Sequence, residues 1–208
     1  YEPRNTIPVE KTLTFINVFP TGRFHLCNMK IASPQLLNEL TNLTKEHLLF
    51  IQQLEALPDQ ALTQKANATS WSALECIEHL NRYGHFYLPE IRKRLEENKT
   101  DAVPVFKSGW LGNYFANSML PKEKLNKMKT FAAMNPLNSP VDRAVIGTFI
   151  LQLQAMLDIL QQCRSVNLNA VKTSISISSL IKLKLGDTLR VVIYHNERHL
   201  RQIKSAIR

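Results

Sequence analysis

His195-Asn196-Glu197-Arg198-His199 places two imidazoles four residues apart. On a helix that spacing leaves them about 40° apart around the axis, so both project from one face. Such a pair suits a shared transition metal. A third histidine from another helix would complete a three-ligand site with open positions, the arrangement of a catalytic rather than a purely structural metal. His79, more than a hundred residues upstream, is the candidate third ligand. The plainer reading is that one H-x-x-x-H is a pair of ordinary boundary histidines. Which reading holds depends on the elements that carry these side chains.

Four helices are predicted from the apolar periodicity. The first covers about 34–57, with Ser33 as N-cap and Pro34 at the first helical position, where its missing N–H costs nothing. The second covers about 73–97. There Ser72 and Glu75 make a capping box, Trp71 packs over the first turn, and Pro89 is expected to kink the helix near His85. The third covers about 140–163, capped by Ser139, with Pro140 first and Asp142 at the positive end of the helix dipole. The fourth covers about 188–207, capped by Asp187. Between the second and third, residues 98–138 read as a long connection in which residues 122–131 could form a short helix. Residues 166–186 read as a connector in which Ser174 to Ser179 alternates serine with isoleucine, like a short strand with no partner in view. One short and two long connections between four helices give an all-α, four-helix bundle.

Composition bounds the function. The 208 residues suffice for one domain, and 44% apolar with 21% charged residues is ordinary for a globular protein. A net charge of +9 permits anionic partners. The basic residues are spread out, however, and the densest cluster, Lys122, Lys124, Lys127 and Lys129, lacks interleaved aromatics. No nucleic-acid partner is expected. No apolar run approaches the roughly 18 residues of a membrane span, so no membrane partner is expected. Cys27, Cys76 and Cys163 share no C-x-x-C spacing, which argues against a disulfide framework or thiolate zinc site. Cys76 and Cys163 read as buried small hydrophobes, and a reducing cytoplasm fits best. Residues 1–28 show no helical period and contain Pro3, Pro8 and Pro20. They are expected to be an extension or arm, without the features of a signal peptide, and the functional domain is expected to cover 29–208.

Measured at about 100° per residue, His79, His195 and His199 each lie on the flank of their helix's apolar stripe, all to the same side. Such positions line a cavity between bundle helices as readily as they mark an amphipathic boundary. Glu75, Glu78 and Asn196 are placed to hold the second nitrogen of an imidazole. His85 points elsewhere on the helix, and His25 and His47 are left out of the site.

Trp71-Ser72-Ala73-Leu74-Glu75-Cys76-Ile77-Glu78-His79-Leu80, followed in order by His195-Asn196-Glu197-Arg198-His199-Leu200-Arg201-Gln202-Ile203, resembles the DinB-like superfamily. Its members carry a W-S-x-x-E-x-x-x-H-L-type segment on the second helix and an H-x-x-R-H-L-x-Q-I-type segment on the last. The stretch from Lys129 to Pro136 is similar to the family's connector. The likeness covers about residue 31 to the C-terminus. It implies an up-down-down-up four-helix bundle and a divalent metal, usually zinc or nickel, held by His79, His195 and His199 with water at the open positions. Characterised relatives include bacillithiol S-transferases, a mycothiol-dependent isomerase and proteins described as metal-dependent hydrolases. Three expectations follow. The first is an enzyme acting on a small-molecule substrate, whose metal activates a low-molecular-weight thiol cofactor as thiolate; Trp110, Tyr114 and Phe115 could wall its pocket. The second is a hydrolase using metal-bound hydroxide, with Glu75 or Glu78 as the catalytic base. The third is a non-enzymatic, metal-binding stress-response protein. A homodimer through exposed bundle faces follows from family habit.

Overall fold

The computed structural model describes residues 29–120 and 130–207. Among them are six helices: α1 (Ser33–Leu54), α2 (Asp59–Thr63), α3 (Ala73–Glu96), α4 (Trp110–Met119), α5 (Ala144–Gln162) and α6 (Leu185–Ala206). Two antiparallel two-stranded sheets accompany them. One pairs β1 (Lys30–Ala32) with β2 (Val105–Lys107), the other β3 (Lys172–Ile175) with β4 (Ser178–Lys184).

The core gives the helix directions. One apolar layer joins Leu36 and Leu40 near the start of α1 to Ile91 late in α3, Ile159 late in α5 and Leu189 early in α6. The other layer joins Ile51 late in α1 to Ile77 early in α3, Phe149 early in α5 and Ile203 late in α6. So α1 and α6 run one way, α3 and α5 the other, which is up-down-down-up. Both α1 and α3 pack on α5 and α6, which leaves α1 diagonal to α3. The neighbours α3 and α5 are therefore parallel. A chain leaving the C-terminus of α3 must return about 36 Å, the length of 24 helical residues, before α5 can begin. That geometry explains the long connection after α3.

Capping at α3 is as expected: Ser72 Oγ accepts from Glu75 N–H, and Glu75 Oε2 accepts from Ser72 N–H. The helix continues through Pro89 to Glu96. At three other starts the expected cap does not form. Ser33 lies inside α1, where its N–H donates to Pro104 O and its buried Oγ caps no backbone N–H. The third helix begins at Ala144 rather than near 140, because Ser139 Oγ and Asn138 N–H are both occupied by residues of α3. Asp187 lies within α6, where its carboxylate faces α4 rather than the helix end.

Two further expectations change. The single strand expected at Ser174 to Ser179 is instead the tip of a hairpin: β3 ends at Ile175, β4 begins at Ser178, and the two strands partner each other. The long connection forms β2 and α4; of the helix expected at 122–131, residues 122–129 with the lysines from Lys122 to Lys129 lie outside the described residues, as do residues 1–28 with Cys27, while Thr130 and Phe131 are not helical. Trp110 and Tyr114 are 76% and 63% exposed on α4, which packs on α6 and β4. Cys76 and Cys163 are buried and free. One segment, Ala144–Ser165, is long and apolar enough by length and composition to cross a membrane, which corrects the expectation that no apolar run approaches such a span. Its apolar residues Phe149, Leu153, Met156 and Ile159 are buried in the bundle core.

The sheets set like charges against each other: Lys30 opposes Lys107, and Lys172 opposes Lys184. Lys184 Nζ donates to Lys107 O, which ties the two sheets together.

A buried polar lock joins α4 to α6. Asp187 accepts from Ser108 Oγ and from Gly109 N–H at 2.8 Å. Arg190 donates to Asp187 Oδ1 at 3.3 Å, Ser108 Oγ at 3.1 Å, Asn113 Oδ1 at 3.0 Å and Asn117 Oδ1 at 3.3 Å. Gly112 makes room for it, since a Cβ there would lie 2.3 Å from Asp187 Cγ and 2.5 Å from its Cβ. Gly112→Ala is therefore expected to cost about 1–3 kcal/mol by overpacking. Urea unfolding checks this, and an unchanged midpoint would mean that the lock shifts without strain.

Candidate metal centre

The site is built from the two ends of the second core layer. The capping box fixes where α3 starts and so places His79 two turns in, beside Trp71. On α6, which runs antiparallel to α3, the four-residue spacing presents His195 and His199 together. The three side chains meet: His195 Nε2 lies 3.2 Å from His79 Nε2 and 3.1 Å from His199 Nε2. One nitrogen from each ring lies within 4.8 Å of the others, and the group could hold a metal ion. His79 and His199 are 2% and 8% exposed, while His195 is partly exposed.

Hydrogen bonds on the far side of two rings assign their tautomers. The Nδ1 of His79 is 2.7 Å from Met134 O, a backbone carbonyl that can only accept, so Nδ1 carries the proton and Nε2 keeps its lone pair. His199 Nδ1 likewise meets Gln202 Oε1 at 3.1 Å. Two lone pairs thus face His195 Nε2, and a single proton on that nitrogen could satisfy only one of them. The donor set fits a divalent cation, which accepts from all three. Nitrogens 3.1–3.2 Å apart match ligands at about 2.0–2.1 Å from one ion, with an angle of about 100° between them.

Aromatic rings enclose the cluster. Trp71 lies 4.7 Å from His79 and 5.8 Å from His199, centroid to centroid. Tyr83 meets His79 at 4.9 Å and His195 at 4.6 Å. Burial sets the electrostatics. It pushes His79 down to about 4, helped by Arg82 and opposed by the Met134 carbonyl. His199 falls to about 3, through burial and then His79 and Arg198, with Gln202 opposing. His195 lies well below its ordinary value through burial and then His199, His79 and Arg198. All three rings stay neutral, the form that binds metal.

The carboxylates behave differently from expectation. Glu75 Oε1 accepts from Lys65 Nζ at 2.7 Å and Asn138 N–H at 2.8 Å, and Oε2 from Ser72 N–H. Burial alone would raise its pKa, yet these donors hold it below the ordinary carboxylate value. It lines a shallow depression of about 320 Å³ with Thr63, Lys65 and Val141, where none of the three histidines reaches. Glu78 pairs with Arg82 at 2.8 Å. Neither they nor Asn196 hold a second imidazole nitrogen; Met134 and Gln202 do. His47 is buried and bonds Glu197 at 3.1 Å, His85 is exposed, and His25 lies outside the described residues. Trp110 and Tyr114 do not wall the site, whereas Trp71 and Tyr83 do. Gln202, three residues after His199, was readable from helix spacing. The Met134 carbonyl was not, because a backbone group leaves no mark in the sequence.

Residues 42–203 match a family model described as the DinB superfamily. That span contains all three histidines, Trp71, Met134 and Gln202. No curated protein matches, and no solved structure matches.

Depressed imidazoles give the metal-free protein a defined acid response. Above the ordinary value of 6.5 both folded and unfolded chains hold neutral rings. Below it the unfolded chain takes up protons that the fold refuses, so stability falls until His79 and His199 titrate in the fold at about 4 and 3. The carboxylates held low by their partners, Glu75, Glu90 and Glu197, withdraw stability only below their ordinary 4.5. Urea midpoints of the metal-free protein should therefore fall between pH 6.5 and 4.5, and by less in a His79→Gln, His199→Gln variant. A flat profile would mean that the rings take up protons inside the fold.

Proposed function

The chain belongs to the DinB superfamily, and from that premise we propose a metal-dependent enzyme in which His79, His195 and His199 hold one zinc or nickel ion. The reaction is transfer of a low-molecular-weight thiol, of bacillithiol type, to a small electrophile. The observation that carries the reading is the convergence of three Nε2 atoms, two with assigned lone pairs, in a site walled by Trp71 and Tyr83. Three ligands leave positions on the ion for exchangeable groups. A divalent ion there supplies Lewis acidity that lowers the pKa of a bound thiol, so that thiolate is available at neutral pH.

The chain's own residues have separate tasks. Met134 and Gln202 hold the ligand tautomers. Trp71 and Tyr83 exclude water from the ring edges. His195, the partly exposed member, marks the side from which a small molecule would approach. Thiol activation requires no additional base from the protein. A hydrolase would have no carboxylate base to assist metal-bound hydroxide, since both carboxylates considered for that role are engaged, Glu75 in the cap with Lys65 and Asn138 and Glu78 with Arg82. That counts against a base-assisted hydrolase. The deep burial of His79 and His199 keeps a non-enzymatic metal-binding protein as the second reading.

Elemental analysis of the purified protein beside His195→Ala and His199→Ala tests the site. About one equivalent of metal in the wild type, and almost none in variants that keep their helical circular dichroism, is the expected result. Variants with full metal content would sink the assignment. Turnover of a chromogenic electrophile should then require added thiol. Turnover without thiol would point to the hydrolase, and metal without turnover to the binding protein.

A further inference from the structure

The connector at residues 133–139 is fastened to one stripe of α3. Glu75 accepts from Asn138 N–H at 2.8 Å, His79 donates to Met134 O at 2.7 Å, and Arg82 reaches three groups. Arg82 Nη1 donates to Ala133 O at 3.3 Å and Asn135 O at 3.0 Å, and Nη2 to Ser139 Oγ at 3.3 Å. Positions 75, 79 and 82 recur at i, i+4 and i+7, so they share a face of the helix. Arg82 Nε also donates to Glu78 Oε1 at 2.8 Å, which sets the plane of the guanidinium. One rigid planar group therefore holds the carbonyls on both sides of Met134.

We infer that Arg82 is a positioning residue of the metal centre: by pinning Ala133 and Asn135 it keeps the Met134 carbonyl on His79 Nδ1–H, and so keeps the His79 Nε2 lone pair aimed at His195 and His199. The consequence for metal rests on the reading of the three histidines as ligands; the hydrogen-bond geometry does not. Without the pin, the carbonyls of Ala133 and Asn135 each lose a donated hydrogen bond and Ser139 Oγ loses a third, and the peptide carrying the Met134 carbonyl can turn away. His79 would then exchange between tautomers, and the Nε2–H form brings a proton to the place a metal must occupy. Lysine would not substitute for arginine, because its ammonium is a point charge and lacks the fork that spans two carbonyls.

The full-length protein, metal-free and labelled with ¹⁵N-histidine, provides the first readout. Two-bond imidazole correlations should report one neutral His79 tautomer, protonated at Nδ1, in the wild type. Arg82→Met should show exchange with, or conversion to, the Nε2–H form, and Arg82→Lys should restore it only in part. Zinc affinity, read by competition with a chromophoric chelator, should fall about 10–100-fold in Arg82→Met. Arg143→Met is the matched control. It removes an arginine that bonds Asp59 and the carbonyls of Glu55 and Leu57, and should alter neither readout. Circular dichroism confirms folding, and Arg82→Lys, which retains the charge facing Glu78, carries the test if Arg82→Met does not fold.

A folded Arg82 variant with an unchanged tautomer would overturn the inference. So would zinc affinity within twofold of a wild type that binds zinc. A wild type that binds no zinc while its tautomer still depends on Arg82 would leave the positioning role standing and remove the metal reading.

Discussion

Three imidazole nitrogens converge between α3 and α6, two of them on buried rings, and the arrangement is uncomfortable in a protein alone. Two of the three rings have committed their protons elsewhere, so both present lone pairs to His195 Nε2 across about 3 Å, and that nitrogen can donate to only one of them. A buried acceptor left without a donor costs about 1–3 kcal/mol. The surrounding structure holds the rings there regardless. The capping box starts α3 at a fixed residue, the antiparallel run of α6 presents its histidines, and Trp71 and Tyr83 leave the rings little room to turn. A cation resolves the conflict that the fold imposes, which is why the cluster reads as a site rather than as boundary histidines.

Topology and chemistry are linked through the long connection. Since α3 and α5 are parallel neighbours, the chain must travel back along the bundle between them. On that return it passes His79 and supplies the carbonyl that fixes its tautomer. A simple up-down-up-down bundle would join consecutive antiparallel helices by short turns and would carry no such passing strand of backbone. The feature that lengthens the connection is also the one that brings the Met134 carbonyl to His79.

The legible and the hidden parts of the molecule divide along physical lines. Helical periodicity marked all four long helices, because each buries a broad apolar stripe. The flank positions of His79, His195 and His199 were visible for the same reason, and the structure brings those three residues together. Hydrogen-bond partners were misread wherever a side chain had more than one use. Ser139 and Asp187 have good capping chemistry, but Arg82 and the α4 junction take them for tertiary contacts. Glu75 looked like a base beside a ligand and is instead occupied by its cap, Lys65 and Asn138. The partner of β3 was missed since β4 follows with little turn signature, and α4 since its apolar residues Trp110 and Tyr114 are exposed and make no core stripe.

The two opposed lysine pairs on the small sheets carry a consequence for the solution in which the protein is kept. Like charges set directly across two strands repel, and burial together with the Lys184 charge already lowers the pKa of Lys172. Dissolved salt screens that repulsion within about 10 Å at 0.1 M. Most surface ion pairs weaken as salt is added, whereas these two strand pairs should tighten. They adjoin the early turns of α6, ahead of His195 at its middle and His199 one turn further on. Ionic strength would therefore act unevenly along one helix, firming the end beside the sheets and leaving the neutral histidines almost untouched.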